Sequence, residues 1–199
     1  MEFTQTRTVR IVAILLFLSV ITQAVYTALY IQAPDVDRSL IWGLEGLLFP
    51  VLAAYAGAAM IVSKRYALVF SAIAFSAIFN LLQVGIGATQ FGPAGAAAAA
   101  NADLGGLAGG IFAFSFYIYN AAKILLGLAA LSLGMSKMKD GAKALGGLTA
   151  LVGLVAFATN TLAVMFGRGE ILPSPVAGGS GAAATALLAI CLFSLRSDD

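Results

Sequence analysis

The sequence predicts an all-α integral membrane protein, a bundle of six transmembrane helices with both termini cytoplasmic. Three observations carry that expectation. Of 199 residues, 61% are apolar and 10% charged, against about 25% charged and about 45–50% apolar in an ordinary soluble domain. So few charges cannot cover a water-facing surface. The apolar residues are also gathered into six runs, and the basic residues between the runs are distributed very unevenly.

A crossing needs about 20 mostly apolar residues, roughly 30 Å at 1.5 Å per residue. Six stretches meet this, at about 9–32, 40–62, 66–91, 110–134, 144–167 and 173–195. The first follows Arg7 and Arg10 in the manner of a signal peptide. Its apolar run is longer than a signal h-region and lacks a small-x-small cleavage site, so it reads as a helix that stays. Ala33-Pro34-Asp35-Val36-Asp37-Arg38 closes it. The second carries Pro50 at mid-span, where the missing N–H favours a kink, and ends at Ser63-Lys64-Arg65. The third gives way to the Gly- and Ala-rich segment 92–109, in which Ala96 to Ala100 can form a short helix and which reads as a tether to the fourth rather than a lid. A polar run from Ser136 to Lys143 follows the fourth span. Gly167-Arg168-Gly169-Glu170 separates the fifth from the sixth, and Pro173 and Pro175 suit the start of that last helix. No stretch between spans is long enough for a second domain, so residues 1–199 read as a single transmembrane domain.

Counting basic residues on alternating sides fixes the expected orientation. Arg7, Arg10, Lys64, Arg65, Lys137, Lys139, Lys143 and Arg196 fall on one side, Arg38 and Arg168 on the other, and Lys123 inside a span. The first side is therefore cytoplasmic, which points to a bacterial inner membrane. Trp42, Tyr30 and Phe91 then lie near the outer interface and Tyr66 near the inner one.

The same composition removes much chemistry. Histidine is absent and cysteine occurs once, at Cys191. His-ligated haem, His-based zinc or copper sites, a Ser-His-Asp triad, a CxxC pair and an internal disulfide are thereby excluded. No carboxylate cluster lies within the spans, so neither a metal nor a cofactor is expected, and nothing points to nucleic acid. The balance is against an enzyme. A retinal-type Schiff base on Lys123 would need an arrangement that six helices and a fourth-helix lysine do not match.

Lipid tails are as apolar as Leu, so helices in a bilayer associate through close packing and polar contacts. Small residues cluster in the second span (Ala53, Ala54, Ala56, Gly57, Ala58, Ala59), in the sixth (Gly178, Gly179, Gly181, Ala182, Ala183) and at Gly146 and Ala150 in the fifth. These faces suit internal helix pairs, a homo-oligomer or a partner in a membrane complex.

Two charged groups remain inside the spans, Glu45 and Lys123, and such groups cost about 2.5–3.5 kcal/mol near the bilayer centre on insertion scales. Amides accompany them at Gln23, Asn80, Gln83, Asn120 and Asn160. Converted to depth, Glu45 lies roughly 7–8 Å from the outer end of its helix and Lys123 about 19 Å. The amides fall between, so the polar groups form a layer in the outer half. Asn80 with Gln83, and Asn120 with Lys123, are three residues apart and share a helical face. The candidate ligand-binding residues are Lys123, Glu45, Asn120, Asn80, Gln83 and Asn160, with Glu45 as the acidic partner of Lys123. The expected function is binding or translocation of a small solute or ion in a polar pocket there. The alternative is an accessory subunit of a larger membrane complex that holds a lipid, a pigment or partner helices. A glycine also stands seven residues after Asn80, Asn120 and Asn160. The fourth helix runs opposite to the third and fifth, so this reads as coincidence rather than duplication.

Overall fold

The computed structural model describes residues 4–33, 36–167 and 169–195. Within them six long helices form: α1 (Gln5–Gln32), α2 (Ser39–Val62), α3 (Ala67–Ala100), α4 (Gly105–Lys139), α5 (Lys143–Phe166) and α6 (Ser174–Phe193). All six are long and apolar enough to cross a membrane. Long runs of Ala, Leu, Ile, Val and Phe favour this outcome, because lipid offers the backbone no partner and a helix satisfies its own N–H and C=O groups. Pro50 and Pro93 sit inside α2 and α3, and both helices continue through them.

The segment from 92 to 109 departs from the expected tether. α3 continues to Ala100, a short 3₁₀ turn follows at Ala102–Leu104, and α4 starts at Gly105. The Asn101 side chain accepts the Asp103 backbone N–H at 3.0 Å and so closes the turn. Alanine is the strongest helix former, and the run Ala96 to Ala100 offsets the weak helix preference of the nearby glycines. α3 has 34 residues and α2 has 24, so the α3–α4 hairpin projects about 15 Å past α2 at 1.5 Å per residue.

One end of the bundle gathers the basic residues and is tied by side chains. Gln5 at the start of α1 donates to Ser63 after α2 at 3.2 Å. Arg65 reaches Asp140 at 2.5 Å and Ser136 at 3.3 Å, and Lys137 caps the end of α6 through the Ser194 carbonyl at 2.8 Å. Arg65–Asp140 is exposed, and such a pair contributes about 0–1 kcal/mol. Arg7, Arg10, Lys64, Lys139 and Lys143 belong to the same end. Arg168 and Arg196 lie outside the described residues, as do Pro34 and Asp35 of the first loop. At the opposite end Asp37 accepts the hydroxyl and the backbone N–H of Ser39 at the start of α2. The Ser39 hydroxyl, then its N–H, hold that carboxyl below the ordinary Asp range.

Five helices close a ring in the order α1–α2–α3–α4–α6, and α5 packs outside it against α4 and α6. The apolar core fills the basic half: Val12 and Leu16 of α1, Leu52 and Ala56 of α2, Phe70 and Ile73 of α3, Leu133 of α4 and Leu188 of α6. Large apolar side chains such as Leu40, Leu47, Ile61 and Met165 face outward, where a bilayer rather than water suits them.

The closest seam is α4 against α5, and it runs on glycines at heptad spacing, the register of antiparallel helices crossing at a shallow angle. A Cβ on Gly134 would come 2.4 Å from the Ala150 backbone N, and one on Gly127 would come 2.6 Å from that of Phe157. Gly146 and Gly153 are equally constrained from the other side. The small residues of α2 do not play this part, since a Cβ on Gly57 would meet nothing within 4 Å. The three glycines that follow Asn80, Asn120 and Asn160 have three different tasks. Gly87 lies under the Trp42 ring, Gly127 lies in the α4–α5 seam, and Gly167 ends α5 at φ +95°.

Candidate functional site

The half of the bundle away from the basic end holds Glu45, Lys123 and the amides of the spans. Lys123 projects from α4 and is 0% exposed. Its aliphatic stem lies across Gly181 of α6, where a Cβ would come 2.8 Å from Lys123 Cδ. Its ammonium continues past α6 to α1 and donates to Gln23 Oε1 at 2.7 Å. The ring of Tyr119, one turn earlier on α4, lies 5.0 Å below the ammonium. Helical side chains lean toward the N-terminus, so a residue at i−4 is placed to meet it. This lysine therefore links two helices that are not neighbours in the ring.

Glu45 projects from α2 and is 6% exposed. Its Oε1 accepts the Thr22 hydroxyl of α1 at 2.7 Å. Thr22 and Gln23 are consecutive, so one turn of α1 holds the acid with one side chain and the base with the next. Glu45 and Lys123 form no ion pair within 4.0 Å, although each charge acts on the other. The acid–base pairing expected from the sequence is thus indirect. Thr22 of α1 bonds the acid and Gln23 of α1 bonds the base, and α1 packs on both α2 and α6.

Beyond this centre lies a cluster of rings. Tyr26 and Tyr30 of α1 flank Arg38 at 5.4 and 5.3 Å. Tyr26 packs on Trp42 at 6.0 Å, Trp42 on Phe91 at 5.8 Å and Phe91 on Phe112 at 4.6 Å between centroids. Trp42 is one turn before Glu45, so the rings roof the side of the bundle on which Glu45 lies.

Apart from Gln23, the amides of the expected layer bond to groups other than Glu45 and Lys123. Asn80 donates to Ser76 O at 2.9 Å and Asn120 to Phe116 O at 2.8 Å, both within their own helices. Gln83 crosses from α3 to Ser115 of α4 at 3.4 Å. Asn160 of α5 donates to Ala156 O at 2.8 Å and across to Ala177 O of α6 at 3.1 Å, while its buried Oδ1 takes no hydrogen bond. Interhelical amide contacts of this kind contribute about 0.6 kcal/mol in membrane bundles. Asn160→Ala should therefore lower the thermal midpoint only slightly, by an amount equal to about 1 kcal/mol or less, which thermal unfolding in detergent would measure.

Two residues of the centre, Thr22 and Tyr119, carry no signal of their own in the sequence, and Gly181 reads there only as one of the small packing residues of the sixth span. Thr22 could have been found from its place beside Gln23, and Tyr119 from its place one turn before Lys123. Gly181 could not, since only the packing of α4 on α6 brings it under the lysine. It also supplies a test of position. Gly181→Ala should displace the ammonium from Gln23, because the added Cβ would meet the Lys123 stem at Cδ, Cγ and Cβ. Amide and side-chain NMR of a ¹⁵N-labelled sample would show the Gln23 and Lys123 signals shift while those of α5 stay in place.

Chemically, the centre offers an ammonium with three donors and a carboxylate with two acceptor oxygens, held apart by neutral groups. No family model, no curated protein and no solved structure matches this chain.

Proposed function

We propose that the chain is a polytopic inner-membrane protein, both termini cytoplasmic, that binds or translocates a small polar solute or ion at the Glu45–Lys123 centre. The observation that carries this reading is the environment of Lys123. A wholly buried ammonium has one neutral acceptor and one ring face, and the nearby acid bonds Thr22 instead of closing on it. A lysine kept only for packing would be expected to close directly on its counter-charge, because burying separated charges is costly. Ionisable groups at membrane depth mark solute and ion paths more often than scaffolding. The small residues of α6 at the centre, with Gly181 under the lysine stem, would let α6 shift there with little repacking.

The test is a thermal-shift panel of small anions, cations and neutral solutes against the detergent-solubilised chain. A solute bound at this centre should raise the midpoint of the wild-type chain, and the shift should vanish in Lys123→Met. A shift of equal size in both would remove the site.

The α3–α4 hairpin favours a second reading, an accessory subunit that docks a partner in a membrane complex. Its Ala- and Gly-rich surface projects beyond the other helices and is largely exposed from Gly92 to Leu107. Stoichiometric foreign chains co-eluting in mild detergent, and lost when residues 92–108 are replaced by a short Gly-Ser turn, would favour that reading.

A further inference from the structure

We infer that the centre takes a small monovalent anion at Lys123 together with one proton at Glu45, an inference that rests on the binding reading above. α3 and α6 contain no Asp, Glu, Lys or Arg. α1, α4 and α5 carry theirs near the basic end, apart from Lys123. The groups that act on Glu45 from the elements around it are Thr22 on α1 and Lys123 on α4, with Tyr26 and Arg38 among the rings beyond. Tyr119 lies against Lys123, and the Cys191 thiol of α6 is in the basic half beside Thr149. Glu45 and Lys123 together therefore form a neutral pair at membrane depth.

An anion placed on Lys123 makes this centre net negative, which a low-dielectric surrounding penalises steeply. A proton on Glu45 at the same time restores neutrality. A cation lacks an acceptor at Lys123, whose N–H groups only donate. Of those donors one is spent on Gln23 and one side faces Tyr119, so the remaining valence calls for an acceptor. Charge-assisted donors bind anions most strongly.

The surroundings of Glu45 accommodate both of its forms. The Thr22 hydroxyl has one hydrogen and two lone pairs. It lies 2.7 Å from Glu45 Oε1 and 3.1 Å from the Ser19 carbonyl. With Glu45 ionised, Thr22 donates to Oε1. With Glu45 protonated, the new O–H donates to Thr22 Oγ1, and Thr22 turns its own hydrogen to Ser19 O. Each hydrogen stays in a bond, and a single hydroxyl rotation separates the two states. An alanine or valine at position 22 would deny the protonated form its acceptor.

Titration calorimetry of the full chain in a non-ionic detergent, with sodium chloride, nitrate, formate and acetate as probes, tests this. Runs in two buffers of different ionisation enthalpy count the protons exchanged on the unaltered chain, so the count does not depend on a variant folding. The expected result is uptake of about one proton per anion for at least one probe, with affinity falling about tenfold per pH unit once Glu45 is ionised. Glu45→Gln should make the affinity independent of pH, and Lys123→Met should abolish binding. Anion binding without proton uptake, or uptake that persists in Glu45→Gln, overturns the inference. A parallel arm uses potassium, urea and glycerol. Binding of one of these that is lost in Lys123→Met, with no anion bound, overturns the proton–anion pair and leaves the site standing. Binding of nothing in either arm overturns both.

Discussion

Gly134→Ala is expected to push α4 and α5 apart and lower the thermal midpoint of the detergent-solubilised protein by several degrees. The added Cβ would lie 2.4 Å from the Ala150 backbone N and 2.6 Å from the Gly146 carbonyl oxygen. Both atoms belong to backbone that cannot turn aside as a side chain can, so the helices themselves must separate. Overpacking costs about 1–3 kcal/mol where side chains give way, and more where they cannot. Separation at Gly134 also loosens the contacts at Gly127 and Gly153 along the same seam, where dispersion between close backbones supplies the attraction. Gly57→Ala is the matched control, since its Cβ would meet nothing within 4 Å and alanine favours the helix by about 1 kcal/mol in water. Its midpoint should stay level or rise. Equal midpoints for Gly134→Ala and the wild type would mean that the glycine seam does not hold α5 in place.

The second large effect concerns charge. Lys123→Met should destabilise the bundle, and Glu45→Gln added to it should recover part of the loss. Methionine fills the space of the lysine stem over Gly181, so little packing is lost. What remains is Gln23 without its donor and Glu45 without the opposite charge that acts on it. Removing one partner of a touching buried pair costs about 3–5 kcal/mol. With no direct ion pair between the two groups, a cost of about 1–3 kcal/mol is expected here. Glutamine at 45 still accepts from Thr22 and carries no charge. The double variant should therefore be more stable than Lys123→Met alone, with a coupling of about 1 kcal/mol or more in the double-mutant cycle. Strict additivity of the two midpoint shifts would mean that the charges do not sense one another.

Helix number and the polar half of the bundle were legible in the sequence for the same reason. Both depend on position along one chain, and a helix converts position into depth at a fixed rise. Lys123, Glu45 and Gln23 could be assigned to one half of the bundle by counting alone. Where the count met composition it did less well. The segment 92–109 looks like a linker because it is rich in glycine, yet its alanines carry two helices through it. The amides at Asn80, Asn120 and Asn160 lie at the right depth, but depth does not say which way a side chain faces. Two of them turn back on their own helices, and Asn160 joins α5 to α6.

The sequence by itself determined that this is a six-helix membrane bundle with two charged groups at membrane depth. Hydropathy and helical rise are local properties, additive along the chain. Only the tertiary structure decided which helices are neighbours, and with it what surrounds each charge. α1 packs on α2 and α6, so Thr22 reaches Glu45 and Gln23 reaches Lys123. α6 presents a glycine under the lysine stem, and α5 sits outside the ring on a seam of glycines. Those facts depend on contacts between residues far apart in sequence, such as Gln23 and Lys123, and no periodicity within a single helix encodes them.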